Sequence, residues 1–233
     1  MRLKLFNWLG RDFVEIAAEG QSGLAADSAT EQLFQRFEAE LRSHGLSLDN
    51  TVRVRIWGRD KDARTLATAA RSKILTGKRK AASSSFISQQ WFDSTADAGL
   101  ELLAMKPAGG DAELRPVEFE PPRNYLCYLR YDSVVFYSGY TSSADRLEEQ
   151  VAEVLEAISG ARAVSGALTQ DFTKTGRLSV FVHRSQKLHV VKELLAKESW
   201  IDLAQVDFQV VDGFAGEKYL LEIEATALGS QRS

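Results

Sequence analysis

The sequence repeats one order of features about 120 residues apart. An apolar, strand-like run ends at Gly20 and again at Gly139, and a Leu-Glu pair closes the pattern at Glu101 and at Glu222. The two separations are 119 and 121 residues, and a nearly constant offset over several features indicates a duplicated unit. A period of this length is too long for a solenoid, so the 233-residue chain is predicted to form two similar domains.

Each half places two helical patterns between these landmarks. The first helices are predicted at 30–42 and 144–158, and the second at 63–75 and 186–197. In the 144–158 segment, apolar residues recur at helical spacing and glutamates lie mainly on the opposite side. Each helix therefore has one face to bury against a sheet.

Strand-like runs rich in β-branched and aromatic residues surround the helices. In the C-terminal half they span 125–131, 133–138, 177–183, 206–211 and 219–227, and the last two are predicted to form a hairpin. The fold class is therefore α/β, with two helices on one face of a mixed sheet in each unit. The other face is too apolar to stay uncovered, so we expect sheets of different units to pack together, within a chain, between chains or both.

A segment rich in proline and glycine at 107–116 separates the two halves. Proline cannot donate a backbone hydrogen bond and glycine weakens regular structure, so this segment is interpreted as a linker. The predicted organisation is an N-terminal unit at 1–106, a linker at 107–122, a C-terminal unit at 123–228 and a tail at 229–233.

Composition excludes several classes of function. A net charge of −3 gives no basic footprint for nucleic acid, and no apolar run approaches the roughly 18 residues of a membrane helix. The N-terminus lacks the apolar core of a signal peptide, so the cytoplasm is the expected location. One cysteine and three scattered histidines predict neither a disulfide nor a metal site, and nothing signals an organic cofactor.

The repeated motifs resemble those of the Rid family, the reactive intermediate deaminases, whose α/β fold is related to the chorismate-mutase-like barrel. Tyr125 lies thirteen residues before Ser138-Gly139, as a tyrosine precedes the family's Ser-Gly-Gln motif. Residues 221–227 resemble the family's closing strand, and 19–21 and 100–104 are weaker N-terminal counterparts. The chain is therefore similar to two Rid units in tandem.

The resemblance implies a function and an assembly. Family members are homotrimers with active clefts between neighbouring subunits, and they hydrolyse enamines or imines made from amino acids. In those clefts an arginine at the start of the fourth strand holds the substrate carboxylate, for which a guanidinium fork is well suited. A glutamate on the last strand positions the attacking water. A homo-oligomer, with a trimer favoured, and a small-molecule substrate are therefore expected here.

Each unit departs from the family pattern in a different place. The C-terminal unit has no arginine or lysine at 201–211, where the family's arginine is expected. The N-terminal unit has Phe6 and Glu19 where the tyrosine and the serine are expected. The corresponding glycines of the two units, Gly20 and Gly139, are expected to have positive φ, which glycine tolerates freely, or to let a ligand approach the main chain.

These departures lead to the hypothesis of one composite cleft. The N-terminal unit would supply the catalytic glutamate Glu101 and a carboxylate-binding cation, either Arg79 or Lys80. The C-terminal unit would supply the residues that shape the pocket, namely Tyr125, Ser138 and Gly139. Glu222 is a second candidate catalytic residue, in an opposite cleft with Phe6 and Glu19 that would be altered or inactive.

The predicted function is an enzyme that acts on a small, carboxylate-bearing imine, enamine or enol-type metabolite. Its glutamate would perform acid-base or water chemistry, because desolvation raises a carboxyl pKa toward neutrality. Two alternatives stay open: a chorismatase-like enzyme, whose glutamate on the equivalent strand protonates an enol ether, and a non-catalytic binding or scaffold protein. A scaffold predicts filled clefts at Glu101 and Glu222, whereas an enzyme predicts at least one open, polar cleft.

Overall fold

The computed structural model describes residues 1–109, 114–123, 125–165 and 177–229. The first unit contains β1 (Arg2–Trp8), β2 (Arg11–Glu19), α1 (Ala26–Ser43), β3 (Thr51–Gly58), α2 (Lys61–Ile74), β4 (Ala82–Ile87) and β5 (Ala98–Met105). The second contains β6 (Leu114–Val117), β7 (Tyr128–Tyr131), β8 (Val134–Tyr140), α3 (Leu147–Ser165), β9 (Arg177–His183), α4 (Leu188–Leu195), β10 (Val206–Val211) and β11 (Leu221–Leu228). Apart from Gly229, the predicted tail lies outside the described residues.

The two sheets share one topology. The first has the order β1-β2-β5-β3-β4, and the second has the matching order β7-β8-β11-β9-β10 with β6 added beside β7. Within each sheet β3 and β4, or β9 and β10, are parallel, whereas the other neighbours are antiparallel. The duplicated sequence therefore folds as two copies of one α/β unit, which confirms the predicted fold class.

The predicted closing hairpin is wrong. Strand β11 lies between β8 and β9 and pairs antiparallel with both. Both edges of β11 are thus occupied, and β10 pairs parallel with β9 instead. The segment after β10 crosses to the first unit, where Gly213 pairs with Ile87.

Part of the predicted linker belongs to the second sheet. Within 107–122, β6 pairs antiparallel with β7. It contains Pro116 and forms the outer edge of the sheet, a position where proline's missing N–H is tolerated.

Helices cover one face of each sheet. Phe34, Phe37 and Leu41 of α1 pack with Ile16 and Ile56 of the first sheet, and α3 and α4 build an equivalent core on the second. None of the helices in the described ranges has both the length and the hydropathy needed to cross a membrane.

The opposite faces of the two sheets pack against each other. Toward one end, the ring centres of Phe13 and Phe136 are 6.3 Å apart. Toward the other, Phe86 stacks on Phe181 at 3.9 Å, and Trp57 is buried beside them. This arrangement confirms the inference that sheets of different units pack together, here within one chain.

Phe181→Ala is expected to lower the free energy of unfolding by about 3–5 kcal/mol. The side chain is 1% exposed and contacts both Trp57 and Phe86 across the interface. Urea denaturation followed by tryptophan fluorescence measures this loss. Phe208→Ala on the neighbouring β10 is the control, because Phe208 is only partly buried and should give a smaller loss; equal losses would contradict a core role for Phe181.

Candidate active site between the two units

A cavity of about 590 Å³ lies between the two units. Both units contribute charged or hydroxyl-bearing side chains to its wall. The first unit provides Arg64 and Arg71 from α2 and Ser83, Ser84 and Ser85 from β4. The second provides Tyr125, Gly139, Thr141, Tyr219 and Glu222. Neither unit encloses this space alone.

Strand β11 carries Glu222 to the cavity through its alternation of side chains. Leu221 and Ile223 pack into the helix-covered core, so Glu222 and Glu224 face the first unit. Glu222 is 5% exposed and Glu224 is 0% exposed. Two carboxyl groups are therefore buried on one strand face, which is unfavourable for charged carboxylates unless each is paired.

Glu224 is paired with arginines of the first unit. Arg55 Nη2 donates to Glu224 Oε2 at 2.7 Å, and Arg55 Nε lies 3.1 and 3.2 Å from the two carboxylate oxygens. Arg53 Nε is 3.4 Å from Oε2. Burial acts to raise the pKa of Glu224, but the two guanidinium groups outweigh it and hold that pKa below its usual value. Glu224 is therefore ionised at neutral pH.

The pKa of Glu222 is shifted in the opposite direction to that of Glu224. Burial, reinforced by the negative charge of Glu224, raises the pKa of Glu222 to about 8, while Ser84, Arg55 and Arg64 act in the lowering direction. The carboxyl group is therefore mostly protonated at neutral pH. Two neighbouring carboxyl groups whose pKa values are pushed apart are typical of acid-base sites.

Gly139 allows the Glu222 carboxyl group to lie against the backbone of β8. A Cβ atom at position 139 would lie 1.7 Å from Glu222 Oε1 and 2.5 Å from Ser84 Oγ. Any side chain there would displace the carboxyl group. The expected positive φ at Gly20 and Gly139 is wrong, because neither belongs to the positive-φ glycines; at Gly139 the requirement is space.

Two buried arginines on α2 face the cavity. Arg64 and Arg71 are 7% and 8% exposed, and their seven-residue spacing puts them two turns apart on one helix face. Arg64 Nη1 donates to Ser85 Oγ at 3.2 Å, whereas its buried Nε has no hydrogen-bond partner among the described residues. Burial lowers the pKa of Arg64 and lowers that of Arg71 to about 10. A bound anion would favour both charged forms, so the cavity suits an anionic ligand.

The α2 arginines were missed by sequence reasoning. The sequence feature that could have identified them is that they share a buried helix face with Ala63, Ala67 and Ala70. When arginines recur at helical spacing on a face that otherwise carries alanines, each long cationic side chain lies over small neighbours. Sequence alone does not indicate that this face meets a cavity.

The site residues predicted from the sequence lie in different parts of the structure. Tyr125, Gly139 and Glu222 line the cavity together. Ser138 lies behind it and is fully buried, and its Oγ accepts a hydrogen bond from the backbone N–H of Ser83 at 3.2 Å. Ser138 therefore joins β8 to β4 across the unit interface instead of facing a ligand.

Glu101 does not share a cavity with Tyr125. It lines a separate cavity of about 270 Å³ with Phe6, where its Oε2 is 3.5 Å from Arg55 Nη1. The hypothetical composite cleft is thus not formed. The reason is strand order, because β3 separates β5, which carries Glu101, from β4 at the larger cavity.

The predicted cations and Glu19 have other partners. Arg79 pairs with Asp49, and Lys80 pairs with Glu118, although Lys80 also borders a cavity of about 50 Å³ adjoining Tyr125. Glu19 accepts hydrogen bonds from the backbone N–H groups of Asp93 and Ser94, at 2.6 and 3.0 Å. Glu19 therefore anchors a loop of its own unit.

Comparison with known proteins relates this architecture to solved structures. No protein-family model and no curated protein matches the sequence. The chain is similar to a chorismatase crystal structure, with a TM-score of 0.63 and 15% identity over 97% of this chain and 79% of that chain. This likeness shows the fold alone, which is shared over nearly the whole chain.

Single Rid-like proteins also match the chain. A YjgF/YER057c/UK114 family member from Mycobacterium tuberculosis has 25% identity, covering 50% of this chain and 99% of its own, with a TM-score of 0.42. A Rid-family protein from Yersinia pestis has 16% identity, covering 49% of this chain and 98% of its own, with a TM-score of 0.43.

Glu222→Gln is expected to change how the stability of this protein depends on pH. The pKa of about 8 in the folded protein lies above the ordinary glutamate value of 4.5, so the stabilisation from protonated Glu222 is complete below pH 4.5 and is lost as pH rises through 8. The free energy of unfolding of the wild type, relative to the variant, should fall by about 4 kcal/mol between pH 5 and pH 9. Urea denaturation of both proteins measures this difference, and parallel pH profiles would contradict a raised pKa.

Proposed function

We propose that this tandem Rid-like protein is an enzyme that protonates a small anionic enol ether or enamine, with Glu222 as the general acid. The observation that carries the proposal is the position of Glu222, a buried carboxyl group with a raised pKa, in an open cavity that two buried arginines also line. A proton donor with a pKa near the working pH is suited to general acid catalysis.

The two substrate classes share the same first step. Each contains a carbon–carbon double bond made electron-rich by an attached oxygen or nitrogen. Transfer of the Glu222 proton to the far carbon forms an oxocarbenium or iminium ion and leaves Glu222 as a carboxylate. Water then adds to the cationic carbon, and its proton returns to the carboxylate. Collapse of the adduct releases a carbonyl compound together with an alcohol or an amine.

Arg64 and Arg71 would bind the negative charge of the substrate. Their guanidinium groups can hold carboxylates through paired hydrogen bonds, and positions seven apart lie about 10 Å apart along the helix axis. Arg64 is the one whose charge acts on Glu222. A substrate with one carboxylate near the reacting carbon and a second anionic group further along α2 would contact both arginines.

An enol ether is the first candidate. The similar chorismatase structure covers nearly the whole chain, and enol ether cleavage requires the protonated carboxyl group that Glu222 provides. Imine hydrolysis in the manner of the Rid family would require an arginine on the fourth strand, where β4 instead presents Ser83, Ser84 and Ser85 to the cavity. An enamine is the second candidate, because its carbon can accept a proton from the same acid.

The open cavity supports an enzyme over a scaffold. A scaffold predicts clefts filled by side chains, whereas the space beside Glu222 is about 590 Å³ and is lined by ionisable groups. That volume lies within the usual range for small-molecule sites. Assembly into a homotrimer stays a prediction of the resemblance, and a cytoplasmic location stays a prediction from the N-terminal sequence. A role in secondary metabolism stays a hypothesis.

The test is turnover of a panel of carboxylated enol ethers, chorismate among them, and of enamines and imines derived from amino acids. Pyruvate released from enolpyruvyl ethers is followed with lactate dehydrogenase, and ammonia from the nitrogen compounds with glutamate dehydrogenase. Glu222→Gln should lower kcat by about 10²–10⁴-fold. Arg64→Met should mainly raise KM, because it removes a substrate-binding charge.

Glu101→Gln is the matched control, since it makes the same chemical change at the corresponding strand of the other unit. It should keep near wild-type kcat. Activity that survives in Glu222→Gln, or equal losses in the two variants, would contradict the assignment of Glu222. Calorimetric binding of an anion without turnover of any compound would favour the binding-protein alternative.

A further inference from the structure

Glu222 and Glu224 are adjacent residues on one face of β11. Positions two apart on a strand lie about 7 Å apart, and Ser84 of β4 lies beside both carboxyl groups. Among the described residues, the charged or hydroxyl groups that act most on Glu222 come from four elements: Glu224 on β11, Arg55 on β3, Arg64 on α2 and Ser84 on β4. The two glutamates thus compete for the same positive charge from β3.

Arg55 makes its contacts with Glu224 and with residues on the side away from Glu222. Two of its nitrogens contact the Glu224 carboxylate, and Nη2 also donates to Ser179 Oγ at 3.1 Å. The remaining nitrogen, Nη1, lies 3.5 Å from Glu101 Oε2 in the other cavity. The guanidinium therefore directs its hydrogen bonds away from Glu222.

Arg53 is fixed on the same side. Its Nη1 donates to Thr226 Oγ1 at 2.9 Å, and its Nη2 donates to the carbonyl oxygens of Ala225 and Tyr137 at 2.7 and 3.0 Å. Its Nε faces Glu224 Oε2 at 3.4 Å. Glu224 is thus the carboxylate that both β3 arginines surround.

Charge balance in this buried region follows from these contacts. The positive charges of Arg53 and Arg55 face the negative charges of Glu224 and Glu101. A third carboxylate at Glu222 would add negative charge next to Glu224 in a place that water hardly reaches, which is unfavourable. If Glu224 were neutral, Glu101 alone would face the two β3 arginines at contact distance, and the excess positive charge, acting through Arg55, would favour an ionised Glu222.

We propose that Glu224 occupies the Arg53–Arg55 clamp and thereby keeps Glu222 in its proton-donating form. Glu224 is a positioning residue in this scheme, because it does not line the cavity. The catalytic meaning of this arrangement rests on the proposed function, but the protonation state of Glu222 can be measured without a substrate.

Glu224→Gln removes one negative charge and preserves the size of the side chain. The repulsion from Glu224 is then gone and the positive charge of Arg55 can stabilise ionised Glu222, so the pKa of Glu222 should fall by about 1–3 units. Carbon-13 NMR of protein labelled at the glutamate carboxyl carbons follows this titration, with the Glu222 signal assigned by its loss in Glu222→Gln. An unchanged or raised pKa in folded Glu224→Gln would overturn the proposal.

Two further variants separate charge from packing. Glu101→Gln also removes a carboxylate beside Arg55, but on the side away from Glu222, and should shift the Glu222 pKa less than Glu224→Gln does. The double variant Arg55→Gln/Glu224→Gln removes one positive and one negative charge, and it serves if Glu224→Gln does not fold. It should keep the raised pKa, and a fall to the value of an ordinary glutamate would overturn the proposal.

The pH dependence of turnover then distinguishes this inference from the proposed function. Activity should be lost as Glu222 deprotonates, so the alkaline limb of kcat/KM, which reports the free enzyme, should move to lower pH in Glu224→Gln by the shift that NMR measures. A shifted NMR titration with an unmoved kcat/KM limb would support the role of Glu224 and contradict Glu222 as the acid. An unshifted titration would contradict the role of Glu224 whatever the activity.

Discussion

The contact between the β3 arginines and Glu224 is the constraint on which the interface depends. Aromatic clusters around Phe13 and around Phe86 flank it and bury much of the space between the sheets. In such surroundings an unpaired charge is strongly unfavourable, and a pair is tolerated only with good geometry and satisfied hydrogen bonds. The three contacts from Arg55 to Glu224 meet that requirement. Sliding one sheet past the other would break them, so this contact favours one register between the units.

That register produces two different environments from one duplicated sequence. Glu101 and Glu222 occupy equivalent strands, yet the Glu101 side chain is 23% exposed and lies near Arg55. Glu222 is buried and has the ionised Glu224 as its neighbour. Equivalent residues therefore have different surroundings because only Glu222 lies where the second unit's β8 and β11 meet the first unit's β4 and α2. A fused duplication allows this divergence, since its two units need not keep identical interfaces.

Small residues leave the space in which the charged groups of the cavity lie. Gly139 lets a carboxyl group approach the backbone of β8, and the three serines of β4 leave room that larger side chains would fill. The resemblance to the Rid family implies an arginine on that strand, whereas this chain presents arginines from the adjacent helix. A carboxylate-binding charge is thus still available to the site, from a different element and direction. This difference favours a substrate bound along α2 over one held at the mouth of β4.

The sequence by itself determined the duplication, the α/β class and the approximate helices, because these depend on local periodicity that each segment carries within it. It also identified Tyr125, Gly139 and Glu222 as candidate residues, through the order and spacing of short motifs. Only the tertiary structure decided that these three share one cavity, that Glu101 lies elsewhere, and that β11 inserts between β8 and β9 instead of forming a hairpin with β10. The same holds for Arg64 and Arg71, whose role depends on what their helix face meets. The pKa of Glu222 could not be predicted from the sequence. It is set by burial and by charges on strands and helices that are distant along the chain and become adjacent only after folding.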